Sequence, residues 1–430
     1  MTMSTTTLAP PPVTKVTTGF WTRTRKVGLV YLISGIAAAA LFGTLAPADT
    51  DARFVLSESA GGAALTLPGP AGAIVFGLLA AAAGAALLAG VGARWFSWMT
   101  ALAVVGLLVS FLCWQVSAAP AGRNFMPLVD TAHGTVILAV PLIFGALAGV
   151  LCERSGVINV AIEGQFLVGA FAASLVATVA ASVWFGLLAA ALAGLALAAL
   201  LAVFSIKYLV DQVVLGVILI ALGAGLTGFL YERIMQPDQD AYNSPLALPK
   251  WRIPLLSDIP ILGPVLFRSS ILVYLALLLV LVLQVGLFHT RWGLRVRSVG
   301  EHPTAADTVG IRVLLVRYRN VLLAGVVAGI GGSYFVLENG FQFTKGMTAG
   351  KGFIALAALI FGRWSPVGAL FAALFFGFAE KLQTYLQSID SAIPSQFLSM
   401  TPYLATILAV AGFVGRVRAP AADGKPYVKG

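Results

Sequence analysis

In a chain that is 59% hydrophobic and only 10% charged, the polar residues set among apolar ones are those able to do chemistry, and three groups stand out. Asn159 and Glu163 are four residues apart and so share a helix face, with Gln165 just beyond and Gly156 and Gly164 where the backbone can break or meet a neighbour closely. Polar groups at membrane depth must be satisfied within protein or by a watery cavity, and Arg154 is one partner within reach of Glu163 at a helix end. The second group, residues 339–366, reads NGFQFTKGMTAGKGFIALAALIFGRWSP, with glycines at 346, 350, 352 and 362. Its apolar run 353–361 covers only about half a bilayer at about 1.5 Å per residue. That length predicts a re-entrant or broken helix whose N-terminal amides can face a neutral polar ligand or a neighbouring helix. The third group, TRWGLRVRSVGEHPTAADTVGI at 290–311, is a basic island between apolar runs. Pro303 suits a first helical position, Ala305, Ala306 and Val309 can form a small apolar face, and Gly310 can stop the helix, so a short surface helix is expected over 303–309. Its chemistry is that of a docking knob for a soluble partner. A positive-inside loop explains the arginines alone, not Gly300, Glu301, Pro303, Ala305, Ala306 and Gly310 at these spacings.

Catalytic and cofactor chemistry finds little footing. The stretch from Gly346 to Gly352 has one residue too few for a phosphate loop and lacks Ser or Thr after Lys351. No HExxH or Ser/His/Asp grouping is present, and three scattered histidines do not suggest a metal site. Cys113 and Cys152 lack CxxC spacing and read as packing residues. The net charge of +10 sits in clusters at span ends and in one loop, which points to membrane topology and not to nucleic acid.

Positioning such groups requires an all-α polytopic membrane protein with about 10–12 transmembrane helices, some short or broken. Apolar runs fall at 27–46, 71–92, 96–116, 134–152, 165–181, 183–206, 208–231, 269–288, 320–337, 353–361, 366–386 and 403–414. The first follows Arg23, Arg25 and Lys26 and reads as an uncleaved span, since a polar lead of this length is atypical of a signal peptide. The loop 232–268, with four acidic and four basic residues, lacks a positive excess and is expected outside. Arg416, Arg418, Lys425 and Lys429 keep the C-terminus inside, as the N-terminus is. Asp211 opens a helical turn, where a carboxylate is favoured by the helix dipole whatever its function. Glu380 and Lys381 read as packing or interface charges, and the GxxxG pairs Gly145/Gly149 and Gly325/Gly329 as weak signs of helix contact.

The string WGLRVRSVGEHPTAADTVGI resembles the coupling loop of ABC importer permeases, in the branch that handles ribose-type sugars, branched-chain amino acids and nucleosides. ERSGVINVAIEGQFLVG (153–169), VDQVVLGVILI and the 339–366 stretch resemble the same permeases. The likeness covers 138–417 and is nearest to the nucleoside branch, with His302 standing where the family commonly has Asn, a better helix cap. The resemblance implies an importer permease fold working by alternating access. A cytoplasmic tail would occupy 1–26, additional spans 27–132, the permease core 133–417 and a second cytoplasmic tail 418–430. It further implies a multi-pass protein of the bacterial inner membrane whose partners are an ATP-binding subunit, a second permease chain, homologous or identical, an extracytoplasmic substrate-binding protein and the lipid bilayer. ATP would sit on the partner subunit, with no cofactor on this chain. Asn159, Glu163, Gln165, Asn339, Phe341, Gly350 and Phe353 would line the substrate pathway or brace a broken helix there, Glu163 paired with Arg154 being the alternative. Arg295, Arg297, Gly300, Glu301, Pro303, Ala305, Ala306 and Gly310 would couple to the ATPase. An ion-coupled secondary transporter would share broken helices and buried polar groups but would have no need of a coupling loop.

Overall fold

The structure, a computed structural model, describes residues 21–56, 64–90, 93–391, 393–400 and 418–429. Ten helices among them are long and apolar enough to cross a bilayer, and a shorter apolar helix, Lys351–Phe361, accompanies them. The span expected at 403–414 lies outside the described residues. The chain divides into two compact units, Met1–Phe54 with Leu65–Phe125, and Val55–Ala64 with Met126–Gly430.

The first unit is built on α1 (Arg23–Leu45), α2 (Gly69–Ala89) and α3 (Ala93–Ser117). Small residues let α1 and α2 approach: a Cβ on Gly28 would lie 2.6 Å from the Leu88 amide, and one on Gly77 would lie 2.6 Å from that of Ala39. Phe42 stacks on Trp114 at 5.1 Å between ring centroids, with Phe111 edge-on to Phe42 at 5.7 Å.

The second unit carries α4 (Leu128–Glu153), α5 (Ile162–Val179), α6 (Val183–Ala202), α7 (Gln212–Leu230), α8 (Ile271–His289), α9 (Arg291–Glu301), α10 (Pro303–Thr308), α11 (Val313–Tyr334), α12 (Lys351–Phe361) and α13 (Pro366–Ser388). Helix α4 is the hub, packed on α8, α11, α12 and α13, and its apolar residues from Ala139 to Cys152 are buried throughout. Helix α11 packs on α4, α5 and α6. Three spans finish in π-helical turns, at Val203–Lys207, Tyr231–Met235 and Phe335–Gly340. The long loop before α8 folds back as an antiparallel pair in which Trp251 faces Ser269. Both cysteines are buried thiols.

The basic island holds two helices where the sequence suggests one. Thr290 caps α9 by accepting from the Gly293 amide at 3.2 Å. Gly293, Val296 and Gly300 then fall three and four apart on the face that α9 buries, while Arg291 and Arg295 stay exposed. That amphipathic spacing is masked in the sequence by the density of arginine.

Of the two GxxxG pairs, Gly145 and Gly149 face Ala355 and Leu359 of α12, and Gly325 and Gly329 meet Gly194 of α6 backbone to backbone. A Cβ on Gly329 would overlap the Ala190 carbonyl oxygen, so Gly329→Leu is expected to abolish correctly packed protein. Size-exclusion chromatography in detergent checks this, a monodisperse peak of the normal size being the contrary result.

Candidate functional site

Two constellations occupy the second unit. The first surrounds the start of α12, a helix too short to span a bilayer and therefore one that leaves unpaired amides where water is scarce. Glu163, in the first turn of α5 and only 6% exposed, supplies the acceptor. Its Oε1 accepts from the Thr348 hydroxyl at 2.6 Å and the Gly350 amide at 2.8 Å, and its Oε2 accepts from the Gly352 amide at 2.6 Å. A carboxylate against helix N-terminal amides is favoured by charge-assisted hydrogen bonds and by the helix dipole. Glycine is required on the helix side: a Cβ on Gly352 would lie 2.5 Å from the Glu163 amide, and Gly350 adopts φ +79°.

These amides thus face a neighbouring helix's carboxylate, and not a ligand. Arg154 does not pair with Glu163. Its Nε donates to the Trp364 carbonyl at 2.8 Å and its Nη2 to that of Arg363 at 3.3 Å. Those two residues both have φ of +53°, a left-handed turn after α12 that frees their carbonyls. The Trp364 indole N–H donates to Glu153, so the Glu153–Arg154 end of α4 holds the far end of α12.

The segment that leads into α12 is fixed by a residue for which the sequence gives no signal. Asn243, buried in the long loop, accepts from the Ser174 hydroxyl at 2.7 Å and the Phe343 amide at 2.7 Å and donates to the Phe343 carbonyl at 3.0 Å. Lys345 pairs with Glu232, Lys351 with Glu380, and the Ser270 hydroxyl with Glu338. Glu380 thus serves α12, consistent with a packing charge.

The seven residues expected on the pathway separate by burial. Asn159 and Gln165 are fully buried and bonded to each other at 3.1 Å. With Glu163 they lie inside the protein as internal braces. Asn339, Phe341 and Phe353 are exposed, Phe341 at 48% and Phe353 at 50%, while Gly350 is half-buried against Glu163. Only Glu163 and Gly350 among them touch across the two stretches. Asp211 caps α7 through the amides of Val213 and Val214, and Gln212 accepts from the Ile158 amide at 2.7 Å.

The second constellation is the basic loop. His302 caps the short helix: its Nδ1 accepts from the Ala305 amide at 3.3 Å and meets the Thr304 hydroxyl at 2.9 Å. Gly310, at φ +84°, ends the turn. Arg295, Glu301, Ala305, Val309 and Gly310 are exposed, Val309 at 76%, and Pro303 is half-buried. Arg297 lies over the Phe288 ring, 5.1 Å from its centroid. Ala306 and Gly300 depart from the expectation that they face a partner. Ala306 is 3% exposed, packed with Val299, Val313 and Tyr427, and a Cβ on Gly300 would overlap the Arg154 carbonyl oxygen. Ala306 is turned inward because α10 lies on α9 and α11, and Gly300 because α9 lies on the turn that follows α4.

Residues 131–414 match the family described as branched-chain amino acid transport system / permease component. The guanosine ABC transporter permease protein NupQ of Bacillus subtilis is 44% identical over 309 residues, covering 69% of this chain and 95% of that protein. The nucleoside ABC transporter permease protein NupC of Lactococcus lactis is 39% identical over 303 residues, 68% of this chain and 95% of its own. A putative glucose ABC transporter permease protein of Haloferax volcanii is 34% identical over 297 residues, 64% and 88% of the two chains. No solved structure matches. The chain belongs to the family of ABC permease components, transport subunits and not enzymes.

Glu163→Ala leaves the Gly350 and Gly352 amides without their acceptor, at a cost of about 1 to 3 kcal/mol for each buried group. Glu163→Gln is expected to be intermediate, since its amide group would confront another N–H donor at Gly352. Thermal unfolding in detergent should rank wild type above Gln above Ala. Equal midpoints would contradict the capping role.

Proposed function

We propose that this chain is the membrane-spanning subunit of an ATP-driven importer for nucleosides, seated in a bacterial inner membrane with both termini cytoplasmic and working by alternating access. The observation that carries the reading is α10: a two-turn helix, capped at both ends, braced by α9 and α11, with Ala305 and Val309 presented outward on a loop rich in arginine. The positive-inside rule turns that loop toward the cytoplasm, where a soluble ATP-binding subunit can reach it. The names of the bacterial relatives, guanosine and nucleoside permeases at 44% and 39% identity, favour nucleosides over sugars as cargo.

The remaining parts take roles by position. A second permease chain, homologous or identical, would complete the pathway, along which the exposed Asn339, Phe341 and Phe353 are the pathway candidates of this subunit. The loop 232–268, with the antiparallel pair at its base, faces the opposite side of the membrane and would receive an extracytoplasmic substrate-binding protein. Residues 1–26 and 418–430 would be cytoplasmic, and 27–132 spans added to the permease core of 133–417. ATP would be bound and hydrolysed wholly on the partner, and this chain would need no cofactor.

Uptake by the reconstituted complex is expected to require ATP and to survive a protonophore at constant ATP. Uptake driven by a pH gradient without an ATPase subunit would instead establish a secondary transporter. Ala305→Glu and Val309→Asp, both on exposed side chains, should insert normally and weaken ATPase association by about 2 kcal/mol, roughly thirtyfold. Titration of the purified permease with the ATPase subunit measures it, and unchanged affinity in both variants would remove α10 from the interface.

A further inference from the structure

Residues 418–429 are seated across the basic loop in a manner that a free tail would not be. The Ala422 amide donates to the Gly300 carbonyl at 2.9 Å, and the Ala421 amide to Glu301 Oε2 at 3.2 Å. Tyr427 is buried against Val299 of α9, Ala306 of α10 and Val313 of α11, and its hydroxyl meets the Asp307 carboxylate. On the opposite side Arg317 of α11, fully buried, donates from Nη1 to the Lys425 carbonyl at 2.9 Å. The Ala422 carbonyl lies 3.2 Å from where a Cβ on Gly156 would stand, and Gly424 packs beneath Ile158. The carboxyl of Asp423 meets that of Glu153. Each partner on this second side belongs to the turn that leads from α4 to Asn159 and Glu163, or to the helix beside it.

Resting on the permease reading above, we propose that 418–429 is a strap that positions the coupling helix, tying α10 to the α4–α5 turn so that displacement of α10 by the ATPase reaches the Glu163 brace and α12. Tyr427 is the positioning residue at one end and Asp423 at the other. Neither touches substrate. The strap suits this task because α10 is only two turns long and its connection to α11, residues 309–312, is short, with Ile311 packed on the same cluster that Tyr427 covers. With Tyr427 wedged between Ala306 and Val313, the helix, the strap and the turn shift together.

The acid end of the strap also makes its seating depend on pH. Burial pushes Asp423 up from 3.8 to about 7, although its hydrogen bond with Glu153, the Gly424 amide and the Arg317 charge pull the other way. The groups facing it are Glu153 and the Cys152 thiol from α4, Arg317 from α11 and the Gly424 amide of its own segment. Because the seated form has the higher value, it binds the proton more tightly than the released form. Seating is therefore strongest below about pH 4 and weakens as pH rises through 7.

The test uses the complete complex in proteoliposomes, reading ATP hydrolysed and solute taken up in the same sample. Tyr427→Ala is expected to insert normally and to lower uptake per ATP by about tenfold or to release the ATPase, while Tyr427→Phe, which keeps the ring, restores most of the ratio. Protection of 418–429 from protease should fall between pH 5 and 8 in the wild type, and Asp423→Asn should flatten that profile. Wild-type uptake per ATP and wild-type ATPase affinity in Tyr427→Ala would overturn the strap, as would a variant that fails to insert at all, which would make the segment a general folding element. Failure of the importer reading is distinct, because it would appear in the wild-type complex as uptake indifferent to ATP.

Discussion

A buried carboxylate is the constraint around which the second unit is arranged. A half-length helix inside a bilayer leaves amides at its start that neither water nor a preceding turn can satisfy, and each such group costs free energy until it finds an acceptor. Glu163 meets three donors of the α12 entry with one side chain, and the negative charge has in return a helix N-terminus and a buried hydroxyl around it. Each side makes the other's burial tolerable. Removing either leaves the remainder as an uncompensated polar group, which explains why the glycines at 350 and 352 and the position of α5 against α12 are tightly specified.

From this contact the geometry extends in two directions. Toward the long loop, Asn243 clamps Phe343 and so fixes where the segment leading into α12 begins. Toward the basic loop, Glu153 and Arg154 grip the left-handed turn at Arg363 and Trp364 where α12 ends, and the next residues pack on Gly300 of α9. The short helix α12 is therefore attached at its start to α5, at its end to α4, and through both to the surface that carries α10. Such an element is fixed to its neighbours at both ends and is not a loose flap.

Much of this architecture is legible in the sequence because long apolar runs with few charges have one stable outcome in lipid. The runs at 183–206 and 366–386 match α6 with its π-turn and α13 within a few residues. The short helix of the basic loop is equally readable, since Pro303 and Gly310 bracket it and their conformational preferences are local. What fails is whatever depends on a partner far along the chain. Arg154 looks like the partner of Glu163 because it is close in sequence, yet the acceptor's true donors lie 185 to 189 residues on. The local ion pair loses because carbonyls released by the left-handed turn claim the guanidinium first. Ala306 looks like a contact for another protein because it falls with Ala305 and Val309 on one small apolar face, and nothing nearby reveals that Tyr427 covers it. Asn243 carries no signal at all, being one amide among the polar residues of a long loop.

Hydrogen exchange at the amides of Gly350 and Gly352, followed in the wild-type permease in lipid nanodiscs, tests the central interaction most directly. A carboxylate buried against both amides predicts exchange as slow as in the middle of α4, with protection lost at these two positions, and not along α8, when Glu163 is replaced by Ala. Rapid exchange at Gly350 and Gly352 in the wild type would mean that the amides are open to solvent or ligand, and the account of α12 as a helix braced by Glu163 would be wrong.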